Sequence, residues 1–153
     1  MKSGKDESTQ RYLLLFKLDA ASLIERIRDR RSEYLEIFST RRTREHFPEV
    51  FRHRYGKAAI GELAHCSGET ILALDQFYKL ADEMRWYLYV TQDMPGTVDD
   101  NIYRMIKRLE KLHATLDLFL EAEMSIDDAA GAPTTAAMAE VSDFVIGEGE
   151  DRG

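Results

Sequence analysis

Two tetrapeptides in this 153-residue chain repeat one arrangement, Glu62-Leu63-Ala64-His65 and Glu110-Lys111-Leu112-His113. On a helix, a carboxylate and an imidazole three residues apart lie on neighbouring ridges, a pairing suited to iron, manganese or zinc. A second chemically able set is basic. Between Arg26 and Lys57, ten basic residues against five acidic ones leave a charge of +5. Arg41, Arg42, Arg44, Arg52 and Arg54 are the candidates there for binding phosphate or an acidic partner. A third set is aromatic: Trp86, Tyr87, Tyr89 and Tyr103 crowd into two short stretches.

The metal spacing is similar to the Glu-x-x-His pairs of ferritin-like bundles, which add single carboxylates from two further helices. The likeness covers two tetrapeptides and no more. A hairpin turning near residues 94–95 pairs position i of one helix with about 189 − i of the other. His113 then faces Gln76, and the two histidines stand about 16 Å apart along the axis, too far for ligand bonds of about 2 Å. Glu62, His65, Glu110 and His113 are therefore an alternative metal site that needs pairing between chains, and no cofactor is expected. His113 flanks the apolar stripe between Leu109 and Leu116 and is expected to pair with Asp117 at i+4. Arg41-x4-His46 fits the loose Arg-x4–6-His pattern of helical HEPN-type ribonucleases, but Arg42 and Arg44 would serve equally in so arginine-rich a stretch. Cys66 lies on an apolar seam, where an inert buried thiol is expected. No glycine-rich nucleotide loop and no Ser/His/Asp arrangement occurs.

The elements that would carry these groups are helices. Leu13, Phe16, Ala20, Leu23, Ile27, Arg30, Tyr34 and Ile37 follow 3-4 spacing, which predicts one helix over 9–39 with Arg30 as its single polar intrusion. A second seam runs from Ala59 through Leu63, Cys66, Thr70, Ala73, Phe77, Leu80 and Met84 to Leu88, and a third from Ile102 to Phe119. Met94-Pro95-Gly96 marks the turn between them. Pro48 and Gly56 bracket a short extra helix near 48–55. The expected fold is all-α: an antiparallel bundle of three long helices over 1–124, completed by dimerisation. With the first two helices folded back on each other, Arg30 would meet Glu62 and Glu69.

Residues 125–153 read as an acidic flexible tail, with a short docking helix at 134–145 presenting Met138, Val141 and Phe144. From Glu121 onward nine acidic residues face only Arg152. The chain as a whole is 44% apolar and carries a net charge of −7, enough apolar residue for a packed core and too much for disorder. No apolar run is long enough for a membrane span and the polar start is no signal peptide, so a cytoplasmic protein is expected.

Leu13 to Phe16 are four consecutive apolar residues and cannot all face one core, while Trp86 sits about 160° from the seam through Leu88. The expected antiparallel fold gathers both stretches and Tyr103 at one aromatic end, with apolar surface left for a second copy or another protein. The function expected from the sequence is thus a non-enzymatic interaction protein: a scaffold, chaperone or regulatory subunit. A metal-carboxylate bundle and a nucleic-acid-binding protein are the alternatives, the latter disfavoured by the acidic total.

Overall fold

A computed structural model describes residues 4–57 and 60–128, with side chains over 7–56 and 61–125. Met138, Val141 and Phe144, and the helix expected at 134–145, lie outside the described residues. Among those described, every regular element is helical. They are α1 (Gly4–Asp29), α2 (Arg31–Arg41), α3 (Phe47–Val50), a 3-10 turn (Tyr55–Lys57), α4 (Ile60–Leu63), α5 (Gly68–Val90) and α6 (Pro95–Asp128).

The heptad seams become the core. Leu13, Phe16, Ala20, Leu23 and Ile27 of α1, Ala73, Phe77, Leu80, Met84 and Leu88 of α5, and Ile102, Leu109, Leu116 and Phe119 of α6 are all buried. Burial of such continuous stripes is what holds helices of this length together, because propensity alone leaves them marginal.

The first expected helix is broken at Arg30, whose backbone (φ −101°, ψ 14°) leaves helical geometry between α1 and α2. The buried Tyr34 hydroxyl donates to the Ile27 carbonyl at 2.7 Å across this junction. Such a bond keeps a polar group satisfied where two helices part inside the core. Arg30 is exposed and does not meet Glu62 or Glu69. Glu62 instead accepts the Ser8 hydroxyl at 3.1 Å, near the opposite end of the α1–α2 rod.

The second expected helix is also divided. Ser67 caps α5: its hydroxyl accepts the Thr70 N–H at 3.2 Å. The Glu123 carboxylate, from α6, accepts both the Ser67 N–H (2.6 Å) and the Thr70 hydroxyl (2.9 Å). A carboxylate at a helix N-terminus also meets the positive end of the helix dipole. The third helix begins at Pro95, a residue suited to the first turn because its missing N–H has no helical partner there. It runs past the expected boundary at 124 to Asp128.

Side-chain pairs give the directions. Lys17 bonds Asp117 (2.6 Å) and Arg28 lies 3.8 Å from Glu110, so α1 and α6 are antiparallel, and Arg31 at the start of α2 continues the run to Asp99 (2.9 Å). Ser67 meets Glu123 while Asn101 donates to the Tyr87 hydroxyl at 2.8 Å, so α5 and α6 are antiparallel as well. It follows that α1 and α5 run parallel, which corrects the fold-back expected for the first two helices.

The reason is the length of the connection. Residues 42–57 and 60–67 run as a strap back along α1. The Arg26 guanidinium donates to the Val50 carbonyl (3.1 Å) and to the Arg52 carbonyl. Lower down, the Arg54 N–H reaches Asp19 at 3.3 Å and the Tyr55 ring meets Phe16. Phe47, Val50 and Phe51 of the strap are buried in the core, so the strap is a packed layer and not a loose link.

Candidate functional site

The parallel arrangement separates the two apolar stretches expected to meet. By the register of the pairs above, Leu14 and Leu15 lie about 20 Å along the axis from Trp86, and the single aromatic end does not form. Both stretches nonetheless keep exposed surface: Leu14, Leu15 and Leu18 on α1 are about half exposed, and Trp86 and Tyr89 are 64% and 65% exposed.

Trp86 and Tyr89 have their ring centroids 5.9 Å apart and form the floor of a groove of about 650 Å³. Asp82 and Arg85, spaced with them at i, i+3, i+4 and i+7, complete one face of α5. The wall is the turn after α2, with Arg42, Glu45, Phe47 and Pro48. Arg42 holds this turn in left-handed geometry (φ 56°, ψ 37°) and its N–H bonds the Phe38 carbonyl at 3.1 Å. Glycine or asparagine is usual at such a position, and the arginine Cβ costs about 1 kcal/mol there. A shallower depression continues down α5 past Tyr55, Asp75 and Glu83, sharing Asp82 and Trp86 with the groove.

Arg44 fixes the wall to the floor. Its Nε donates to the Leu88 carbonyl at 2.9 Å and its Nη2 to the Thr91 carbonyl at 2.7 Å. The guanidinium also lies 5.0 Å from the centre of the Phe38 ring. The basic window and the aromatic residues, separate sites in the sequence, are thus joined in space by Arg42 and Arg44.

The remaining sequence candidates are distributed elsewhere. Arg41, Arg52 and Arg54 are exposed. Tyr87 is half-buried and committed to the α5–α6 turn, donating to Asp93 at 2.8 Å and accepting from Asn101. Tyr103 lies between Arg31 and Lys107, at 5.0 and 5.1 Å from its ring centre. Within the basic window, Arg26 and Arg44 are held by backbone carbonyls and Arg31 by Asp99. That leaves fewer guanidinium groups free for phosphate than the sequence counts.

Glu62, His65, Glu110 and His113 are not brought together. Glu62 is with Ser8, His65 is exposed beyond α4, and Glu110 lies near Arg28 (3.8 Å) and Lys107 (3.7 Å). His113 packs on Phe77 at 5.6 Å between ring centres, one residue from the position that the sequence register assigns. Among the described residues no three His, Cys, Asp or Glu side chains stand close enough to share an ion. Asp117, expected to pair with His113, bonds Lys17 instead.

Burial holds the His113 imidazole below its ordinary pKa; the Asp117 charge opposes this, and Lys17 and Arg28 add to it. A histidine kept neutral in the fold binds its proton more readily when unfolded, so stability falls as pH drops through the unfolded value, about 6.5. His113→Leu is expected to flatten that slope, measured as urea midpoints at about pH 7.5 and about pH 5.

One further histidine has the partners of a catalytic group. His53 Nε2 lies 2.8 Å from Asp82, its Nδ1 accepts the Tyr55 N–H at 3.2 Å, and its ring rests on Tyr78 at 4.7 Å. Tyr78 in turn donates to Asp19 at 2.8 Å and stacks on Tyr55 at 4.7 Å. Burial, and then the neighbouring Asp19 carboxylate, push the Tyr78 hydroxyl well above its ordinary pKa, so it stays protonated and donating. Both nitrogens of His53 are spent on these bonds, leaving neither for proton transfer. The cluster clamps the strap to α1 and α5.

Comparison with family models, with curated proteins and with solved structures finds no match to this chain. Among the described residues, no helix is long and apolar enough to cross a membrane.

The sequence missed Asp82, Arg85, Glu45 and Pro48 as groove residues. A signal existed for part of this set. Asp82, Arg85, Trp86 and Tyr89 share one helical face, off the Phe77/Met84 seam, but only the strap turns that face into a concavity.

Proposed function

We propose that this chain is a non-enzymatic helical interaction protein, cytoplasmic, whose groove between the 42–48 turn and α5 docks a segment of a partner protein. The observation that supports the reading is the exposed Trp86–Tyr89 pair on a groove floor whose wall is held to it by Arg44. Exposed aromatic rings in a concavity, rimmed by arginine, are the side chains that contribute most at protein interfaces. In this reading Trp86 and Tyr89 are the anchors. Arg42 and Arg85 are rim charges that guide approach and orientation. The exposed leucines of α1 form a separate surface that the reading does not use.

The test is capture of a partner by the full chain, compared with a Trp86→Ala/Tyr89→Ala double variant and with Leu72→Ala, an exposed residue on the same helix outside the groove. The double variant is expected to lose capture by about tenfold or more, while its folding stability stays within about 0.5 kcal/mol because both rings are exposed. Leu72→Ala is expected to capture as the native chain does. Equal capture by the double variant overturns the reading.

A further inference from the structure

We infer that the occupant of the groove is residues 134–145 of a second copy of this chain. The inference rests on the reading of the groove as a docking site and names its partner. Three observations carry it. The first is shape: Met138, Val141, Phe144 and Val145 recur at 3-3-1 spacing, one apolar helical face of the kind that lies in a groove. Phe144 is the aromatic side chain of that face and pairs naturally with Trp86 and Tyr89.

The second is charge. The groove is graded along α5: Asp75, Asp82 and Glu83 outweigh Lys79 towards its lower end, and Arg42 and Arg85 outweigh Glu45 at its upper end. The segment is graded in the complementary sense: residues 134–139 carry no charge, whereas Glu140, Asp143, Glu148, Glu150 and Asp151 follow. Opposite gradients fix the orientation. The segment lies parallel to α5, its carboxylates beside Arg42 and Arg85 and its uncharged start beside Asp75.

The third is reach, which selects a second copy over the same chain. Seating Phe144 between Trp86 and Tyr89 places residue 134 ten residues lower, opposite Leu112 of α6 by the observed α5–α6 register. Asp128, where α6 ends in the described structure, lies about 24 Å further down the axis, before any step around the bundle. Six residues span at most about 21 Å fully extended. The reverse orientation moves residue 134 still further away. A neighbouring copy meets no such limit, and reciprocal exchange of the segment closes a two-fold dimer.

Light scattering on the full chain at about 50 µM is expected to give the mass of two chains. Val141→Asp/Phe144→Asp, outside the described core, and Trp86→Ala, on the exposed floor, are each expected to return the mass to one chain with an unchanged circular dichroism spectrum. A photoreactive residue at position 89, in a mixture of isotopically light and heavy chains, is expected to link to residues 138–145 across copies. A native chain of single mass, or links within one chain, overturns the inference. If partner capture still depends on Trp86 in that case, the groove reading survives alone; if neither mass nor capture responds to Trp86→Ala, both fall.

Discussion

Phe51→Ala is expected to lower the free energy of unfolding by about 3–5 kcal/mol, the range for removing a buried phenylalanine without collapse of the site around it. Phe51 is 2% exposed and meets two rings edge to face, Tyr34 at 5.9 Å and Phe47 at 6.5 Å between ring centres. Its neighbours sit on three elements: Tyr34 belongs to α2, Phe47 to α3, and the adjoining Val50 and Arg52 carbonyls receive Arg26 of α1. None of these can move into the vacated volume without giving up its own contacts. A chain of this size has of order 5–15 kcal/mol of stability to lose, so the variant is expected to unfold at a clearly lower urea concentration with an unchanged slope. A loss below about 1 kcal/mol would mean that the strap is not part of the cooperative core.

Arg44→Met is expected to cost about 2–3 kcal/mol, more than the exposed arginines of the basic window. Methionine preserves the apolar stem and removes the donors, so the loss reports the bonds to the Leu88 and Thr91 carbonyls. These groups close the C-terminal end of α5, where the helix leaves its last carbonyls without helical partners and a positive charge is favoured. Arg44→Lys is expected to recover little, since one ammonium on a flexible stem does not reproduce two bonds fixed by a planar guanidinium. Changes at exposed Arg41 or Arg52 provide the contrast, within about 0.5 kcal/mol of the native chain. Urea unfolding of the four variants side by side decides it. Arg44→Met costing no more than Arg52→Met would show that the wall is held by packing alone. The same variant frees the groove wall, so partner capture is expected to weaken with stability, whereas Trp86→Ala/Tyr89→Ala separates the two.

These two residues show what a linear pattern conceals. Arg44 and Arg42 have the same type and lie two positions apart, yet one bonds the end of a distant helix and the other rims a groove. Nothing in the local sequence tells them apart. The same holds for His53: Glu49, four residues before it, is a natural surface partner by spacing, while its actual carboxylate is Asp82, on α5. By contrast, Phe77 against His113 falls one residue from the Gln76 reached by counting through one short turn at Pro95, because a tight hairpin leaves the register little freedom.

Helical content, the buried stripes, the place of the α5–α6 turn and the position of Trp86 and Tyr89 off the core were all legible in the amino-acid order. Periodicity suffices for each of these, since a helix places every third or fourth residue on one face whatever it packs against. The parallel course of α1 and α5, the strap that makes it possible and the groove it forms emerge only from long-range packing. A 26-residue connection containing Pro48 and Gly56 fixes no direction locally. Its path depends on Phe47, Val50 and Phe51 finding apolar surface, and on Arg26 and Asp19 meeting its backbone, across many intervening residues.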